Sequence, residues 1–87
     1  MDFEYDPRKS ELNKIKHGID FDEAASLWKD LRAISSLLDS SGENRYLLVG
    51  KMVNKYWSVI YTHRNDRIRI ISARPSRAKE IEDYDNG

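Results

Sequence analysis

The stretch from Arg45 to Ser72, RYLLVGKMVNKYWSVIYTHRNDRIRIIS, constrains the fold most. Three runs rich in β-branched and aromatic residues follow one another, as strands do. Between them stand only brief turn signals, Asn54-Lys55 after Val53 and then Asn65-Asp66. Connections that short join antiparallel neighbours, because a parallel crossover needs about a dozen residues or more. A three-stranded meander is therefore expected. LRAISSLLD adds a fourth strand ahead of it, separated by the polar turn SSGEN. In the last run, Ile68 and Ile70 facing a core send Arg67 and Arg69 to the other side. Ile71 and Ser72 break that alternation, so a bulge or a strand end is expected near Ile71.

The flanks read as helices. In DPRKSELNKIKHG, Asp6 suits the N-cap, Pro7 the first turn and Gly18 the residue past the end. Leu12, Ile15 and the stem of Glu11 lie on one side of this helix. A second helix begins at once, with Asp20 and Glu23 at capping-box spacing and Phe21, Ala24, Ala25 and Trp28 on one side. It is expected to end near Lys29 or Asp30. Before these, DFEY reads as a short strand; after Pro75, Ser76 is the expected cap of a last helix, RAKEIEDYD. The order β-α-α-β-β-β-β-α predicts an α+β fold, a small antiparallel sheet with helices packed on it from both chain ends. With 87 residues, the whole of 1–87 is expected to form one domain.

Charge is balanced overall, at 15 bases and 15 acids, but not along the chain. From residue 44 to 79 there are nine bases (Arg45, Lys51, Lys55, Arg64, Arg67, Arg69, Arg74, Arg77 and Lys79) against Asp66 alone. A polyanion responds to such local potential rather than to net charge. An ordinary solvated sheet face is the competing reading of Arg67 and Arg69. Arg77 and Lys79 begin the last helix and Asp83 and Asp85 end it, opposite to what a helix dipole favours. An anion held at that helix start is one reason for such an order. No Cys is present and the two histidines, His17 and His63, are far apart, so no metal site or disulfide is expected. Either imidazole suits proton transfer near neutral pH. No apolar signal core or spanning segment is evident, and the lack of Cys fits a reducing cytoplasm. From the residues alone, the chain is a small α+β domain with a basic patch suited to RNA or DNA.

Taken in order, FEYDPRK (3–9), KHGIDFDEA (16–24), RYLLVGK (45–51), YTHR (61–64) and RIRIISARP (67–75) resemble the BrnT family of type II toxins, with Glu80 and Tyr84 in the matching last helix. That resemblance implies a RelE-like fold and a ribonuclease toxin that blocks translation without a cofactor or metal. It also implies a BrnA-like antitoxin with a ribbon-helix-helix region, operator DNA bound through the toxin–antitoxin complex, and no membrane. Residue by residue, Lys16 and His17 stand in the family's Lys-His-Gly motif, Arg69 and Arg74 in its Arg-Ile-Ile-Ser-Ala-Arg motif, and Thr62 in its tyrosine-threonine strand end. The resemblance makes Arg69, Arg74, His17 and Lys16 catalytic candidates, with Arg67, Thr62, His63 and Arg77 beside the substrate. Two departures stand out: His63 where members often carry an acid, and Pro75–Ser76–Arg77 where they often have a Thr helix start. A non-catalytic module that binds RNA or antitoxin through the same basic face is the alternative.

Overall fold

The computed structural model describes residues 1–87. The elements run β1 (Asp2–Glu4), α1 (Pro7–His17), α2 (Phe21–Ala25), a 3-10 turn (Ser26–Lys29), β2 (Ile34–Asp39), β3 (Arg45–Met52), β4 (Lys55–Arg64), β5 (Arg67–Pro75) and α3 (Ala78–Asn86). The expected α+β order is the observed one. The strands form one sheet in the order β1-β5-β4-β3-β2. β2 to β5 are antiparallel neighbours, as the short turns require. β1 departs from that pattern: it joins β5 in parallel, with Glu4 opposite Arg69, so the sheet is mixed. The α1–α2 segment carries the chain from β1 to β2 at the far edge of the sheet, where it runs opposite to β1, and three antiparallel reversals then bring β5 back alongside β1 in parallel.

Both turns of the meander have two central residues with positive φ, the geometry that suits the twist of a hairpin. Asn65 and Asp66 form the second turn, as expected. The first is Val53-Asn54, one residue earlier than the turn signal suggested, since Met52 pairs with Lys55. A β-branched residue therefore takes a left-handed conformation at Val53, at a cost of about 1–2 kcal/mol.

Strand alternation and register divide the side chains between two faces. Leu48, Trp57, Val59, Tyr61, Ile68, Ile70 and Ala73 form the first face and pack on Ile19, Phe21, Ala24 and Leu27 from the α2 region. α2 starts at the predicted capping box, Asp20 with Glu23. A Cβ added at Gly50 would stand 3.2 Å from the end of the Leu27 side chain, which would have to give by a few tenths of an ångström to admit it. The second face carries α3, placed by the Ser58–Glu80 hydrogen bond and by the edge of Tyr84 on the Tyr56 ring. The Tyr84 hydroxyl also donates to Asp30, which in turn accepts from the Lys51 N–H. No helix is long and apolar enough to cross a membrane.

α1 has the predicted ends: Asp6 accepts from the Arg8 N–H, and Gly18 takes φ 81° and returns its N–H to Lys14. The side of α1 that carries its aliphatic residues does not face the core. Leu12 and Ile15 point outward, 65 % and 83 % exposed, while Ser10 is buried. The reason is hydrogen bonding. Ser10 Oγ accepts from the Phe21 N–H, and Asn13 donates to the carbonyls of Ile19 and Ala73. β1 stops at the level of Arg69, so beyond it the outer edge of β5 lacks a strand neighbour. The amide of Asn13 fills that place. Buried backbone groups need partners, and meeting that need turned the polar side of α1 inward.

Candidate functional site

β5 sets the geometry of the candidate site. Ile60 pairs with Ser72 and Tyr61 with Ile70, which leaves Ile71 as the extra, bulged residue. The expected bulge is therefore present, but the strand continues through it to Pro75, so Arg74 sits in the strand and not in the turn after it. The bulge has a consequence for direction. Arg69 and Arg74 are five positions apart, which in a regular strand would send them to opposite faces. The inserted residue corrects the count. Arg69 pairs with Thr62 and Arg74 with Ser58, four apart on β4, so both arginines reach the second face. Between them the floor is Ile60 and Ser72, both part-exposed.

Each arginine has a carboxylate partner. Arg69 Nη1 lies 2.8 Å from Glu4 Oε2, a bond made possible by the parallel β1–β5 register. Arg74 meets Glu80 end-on, Nη1 and Nη2 each at 2.8 Å. Glu80 also accepts from the Ser58 hydroxyl (2.9 Å) and from the Arg77 N–H (2.8 Å). The Arg74 guanidinium first, then these donors, hold the Glu80 carboxyl down at about 2 against the opposing effect of burial. The same hydrogen bond raises the pKa of Arg74. A guanidinium gripped at its two terminal nitrogens keeps its Nε–H side open to a further acceptor. Arg69, held at one nitrogen only, keeps more donors open.

The start of α3 is organised from within by Glu80. Ser76 is not its cap, as expected from sequence; Arg77 occupies that position, and the Ser76 hydroxyl pairs instead with Ser58 at 2.8 Å. Arg77 has no acceptor on its side chain, so Glu80 satisfies the Arg77 N–H from within the helix. Lys79 is answered by Asp83 one turn on, at 3.1 Å. Of the reversed charges, Lys79 is therefore paired inside the helix, while the Arg77 guanidinium stays exposed.

The other candidates fall in three places. Arg67 is exposed at the Asn65-Asp66 end of the arginine face, paired in register with Arg64, which itself bonds Glu43. Thr62 shares that face but is 2 % exposed, and its hydroxyl donates to the Asn44 carbonyl at 2.6 Å. Arg77 is exposed at the α3 start. His63 points to the opposite face, against the edges of Tyr46 and Tyr61. Lys16 and His17 end α1, which packs on the first face. His17 lines a shallow cleft of about 310 Å³ with Tyr56, Trp57, Pro75 and Ile81, beside the Arg74 end of β5. Lys16 lines another, of about 260 Å³, with Leu12, Phe21 and Ile71. Thus Arg69, Arg74, Arg67 and Thr62 share one face and His63 lies on the other, while Lys16 and His17 stand at the end of α1 by the outer edge of β5. Sequence reading missed Glu4, Ser58 and Asn13, whose partners lie 65, 22 and 60 residues away. No three His, Cys, Asp or Glu residues are grouped so as to hold a metal ion.

The arrangement offers two immobilised guanidinium groups on a part-open sheet face, which suits recognition of a phosphate-bearing chain. A search of curated proteins finds no match. A family model described as "Ribonuclease toxin, BrnT, of type II toxin-antitoxin system" matches residues 5–80, a span that begins just after β1 and takes in both arginines and Glu80. The chain belongs to the BrnT family of ribonuclease toxins of type II toxin–antitoxin systems.

Proposed function

We propose that the chain is a metal-independent endoribonuclease that blocks translation by cutting RNA, with Arg69 and Arg74 on the scissile phosphate. The observation that carries this reading is the Ile71 bulge, which brings both arginines to one face. In the reaction, the ribose 2′-oxygen attacks the adjacent phosphorus and the 5′-oxygen leaves. The 2′-hydroxyl proton passes to a base, and a proton is returned to the leaving oxygen. Extra negative charge develops on the phosphoryl oxygens, where fixed cations act most strongly. Arg74 is preorganised for this by Glu80, and Arg69 by Glu4. Arg67 and Arg77 supply the surrounding positive field. His17, beside Pro75 at the Arg74 end, is the first candidate for proton transfer and His63 the second; Lys16 assists only an RNA that passes around the β5 edge. Neutralisation falls to a BrnA-like antitoxin whose ribbon-helix-helix region takes the complex to operator DNA in the cytoplasm.

The test is cleavage of an mRNA transcript in EDTA, alone and with ribosomes, by wild type, Arg69→Ala and Arg74→Ala. Each substitution is expected to slow cutting by about 10²–10³-fold, the usual loss when one preorganised charge-stabilising group is removed. If both folded variants cut like wild type, the arginine assignment is wrong. One observation favours a second reading, a non-catalytic RNA- or antitoxin-binding module: both guanidinium groups are already partnered by carboxylates of the chain. RNA left intact by clean, folded wild type under both conditions would favour that module.

A further inference from the structure

α1 is amphipathic in the wrong direction. Its polar residues Ser10 and Asn13 face the protein, and its only large aliphatic residues, Leu12 and Ile15, face outward at i, i+3 spacing. Residues three and four apart share a helix surface, so Arg8, Lys9 and Lys16, together with the exposed acid Glu11, frame these two side chains. Beside Leu12 lies the shallow cleft of about 260 Å³ that Lys9, Asn13, Lys16, Phe21 and Ile71 complete. Lys14, the remaining base of the helix, is already engaged by Glu23 at 2.7 Å.

We propose that this outer face of α1 is the docking site for an acidic, amphipathic helix of the antitoxin. It rests on the family's having a protein antitoxin, and not on the arginines' role in cleavage. Two features of the surface select this occupant. Aliphatic side chains flanking a shallow groove suit the apolar face of a helix, whereas single-stranded RNA is gripped by aromatic stacking, and no aromatic side chain stands exposed on α1. The rim carries three bases against Glu11, a net positive charge, so the matching segment carries acids. A second copy of this chain would bring its own Arg8, Lys9 and Lys16 against the same bases, and like charges placed together oppose that association.

The probe is the purified antitoxin, defined as the protein whose co-expression relieves growth arrest by this chain. Calorimetric titration compares wild type with the Leu12→Asp/Ile15→Asp double variant. The expected result is binding at least about 100-fold weaker, since two carboxylates would be buried against an apolar partner, with RNA cleavage and Tm little changed. Lys9→Glu is expected to weaken binding several-fold and to flatten its salt dependence. Unchanged antitoxin affinity in the double variant overturns the proposal. So does loss of RNA binding with antitoxin binding intact, which would give the face to RNA. Self-association of wild type that the double variant abolishes would give it to a second copy and overturns it as well. Should the double variant fail to fold, hydrogen exchange on wild type decides: antitoxin must slow exchange over residues 9–16, and no protection there sinks the idea. Absence of ribonuclease activity in wild type would defeat the function proposed above but leave this docking result standing.

Discussion

The two faces of the sheet are held to their helices by different forces. Under α2, the seal is apolar: Phe21, Ala24, Leu27 and Val59 are at most 1 % exposed. Under α3, it is polar: Glu80 meets Arg74, Ser58 and the Arg77 N–H, and Tyr84 donates to Asp30. Burying hydrocarbon gives stability without direction, while hydrogen bonds between charged groups give direction along with a sensitivity to proton concentration. The first face can therefore support the fold whatever the conditions, and the second can keep guanidinium groups both fixed and part-exposed. A face that must present charge cannot be sealed like a core.

The sharpest way to break this contrast is in the apolar seal. Phe21→Ala is expected to cost about 3–5 kcal/mol of unfolding free energy, by loss of transfer energy and creation of a cavity, and urea titrations should show the same loss at pH 4 and pH 7. Next comes Glu80→Gln, expected to cost about 1–3 kcal/mol because it leaves donors of the Arg74 corner poorly matched. Its signature is pH. The Glu80 carboxyl is held at about 2 when folded, below the usual 4.5. The unfolded chain therefore binds its proton first as acid is added. Its contribution is fully present above about pH 4.5 and is lost as pH falls towards 2. Wild type should lose that increment over this window, and Glu80→Gln should lack it; identical acid titrations of the two would remove the polar-clamp account.

Asn13→Ala tests the intermediate case, α1, whose attachment is polar although it lies on the apolar face. Loss of its bonds to Ala73 and Ile19 is expected to cost about 1–2 kcal/mol, visible as faster amide exchange along α1. Smallest in stability is Arg69→Ala, under about 1 kcal/mol because the Glu4 pair is part-exposed. The same variant is expected to show one of the largest losses of RNA cleavage. A stability loss matching that of Phe21→Ala would mean Arg69 is structural, and the distinction between the faces would collapse.

What was legible in the chain followed from local chemistry. Asp6, Pro7 and Gly18 mark the ends of α1, Asp20 and Glu23 start α2, and the irregular position of Ile71 marks the bulge. Each depends on neighbours within a few residues. The orientation of α1 was not legible, because Leu12 and Ile15 look like core residues until one knows that the β5 edge needs Asn13. Nor was the pairing of Arg69 with Glu4, which depends on β1 entering the sheet in parallel. The cap of α3 was misread at Ser76 because the competing acceptor, Ser58, lies in another strand. On the candidate site, residue type and strand alternation indicated the arginines, but nothing local revealed that both have carboxylate partners, or that Lys16 and His17 end a helix at the outer edge of β5.

The extra residue at Ile71 also sets a rule for how this strand can change length over evolutionary time. Remove one residue between Arg69 and Arg74 and their spacing becomes four, which in a regular strand leaves both on one face, so a single-codon deletion can take the bulge away without turning either arginine. Losing the bulge at unchanged length would instead send Arg74 towards the apolar interior. Relatives that align with a one-residue gap in this segment should therefore keep both arginines in a regular strand, and those with an ungapped segment should keep an irregular residue between the two.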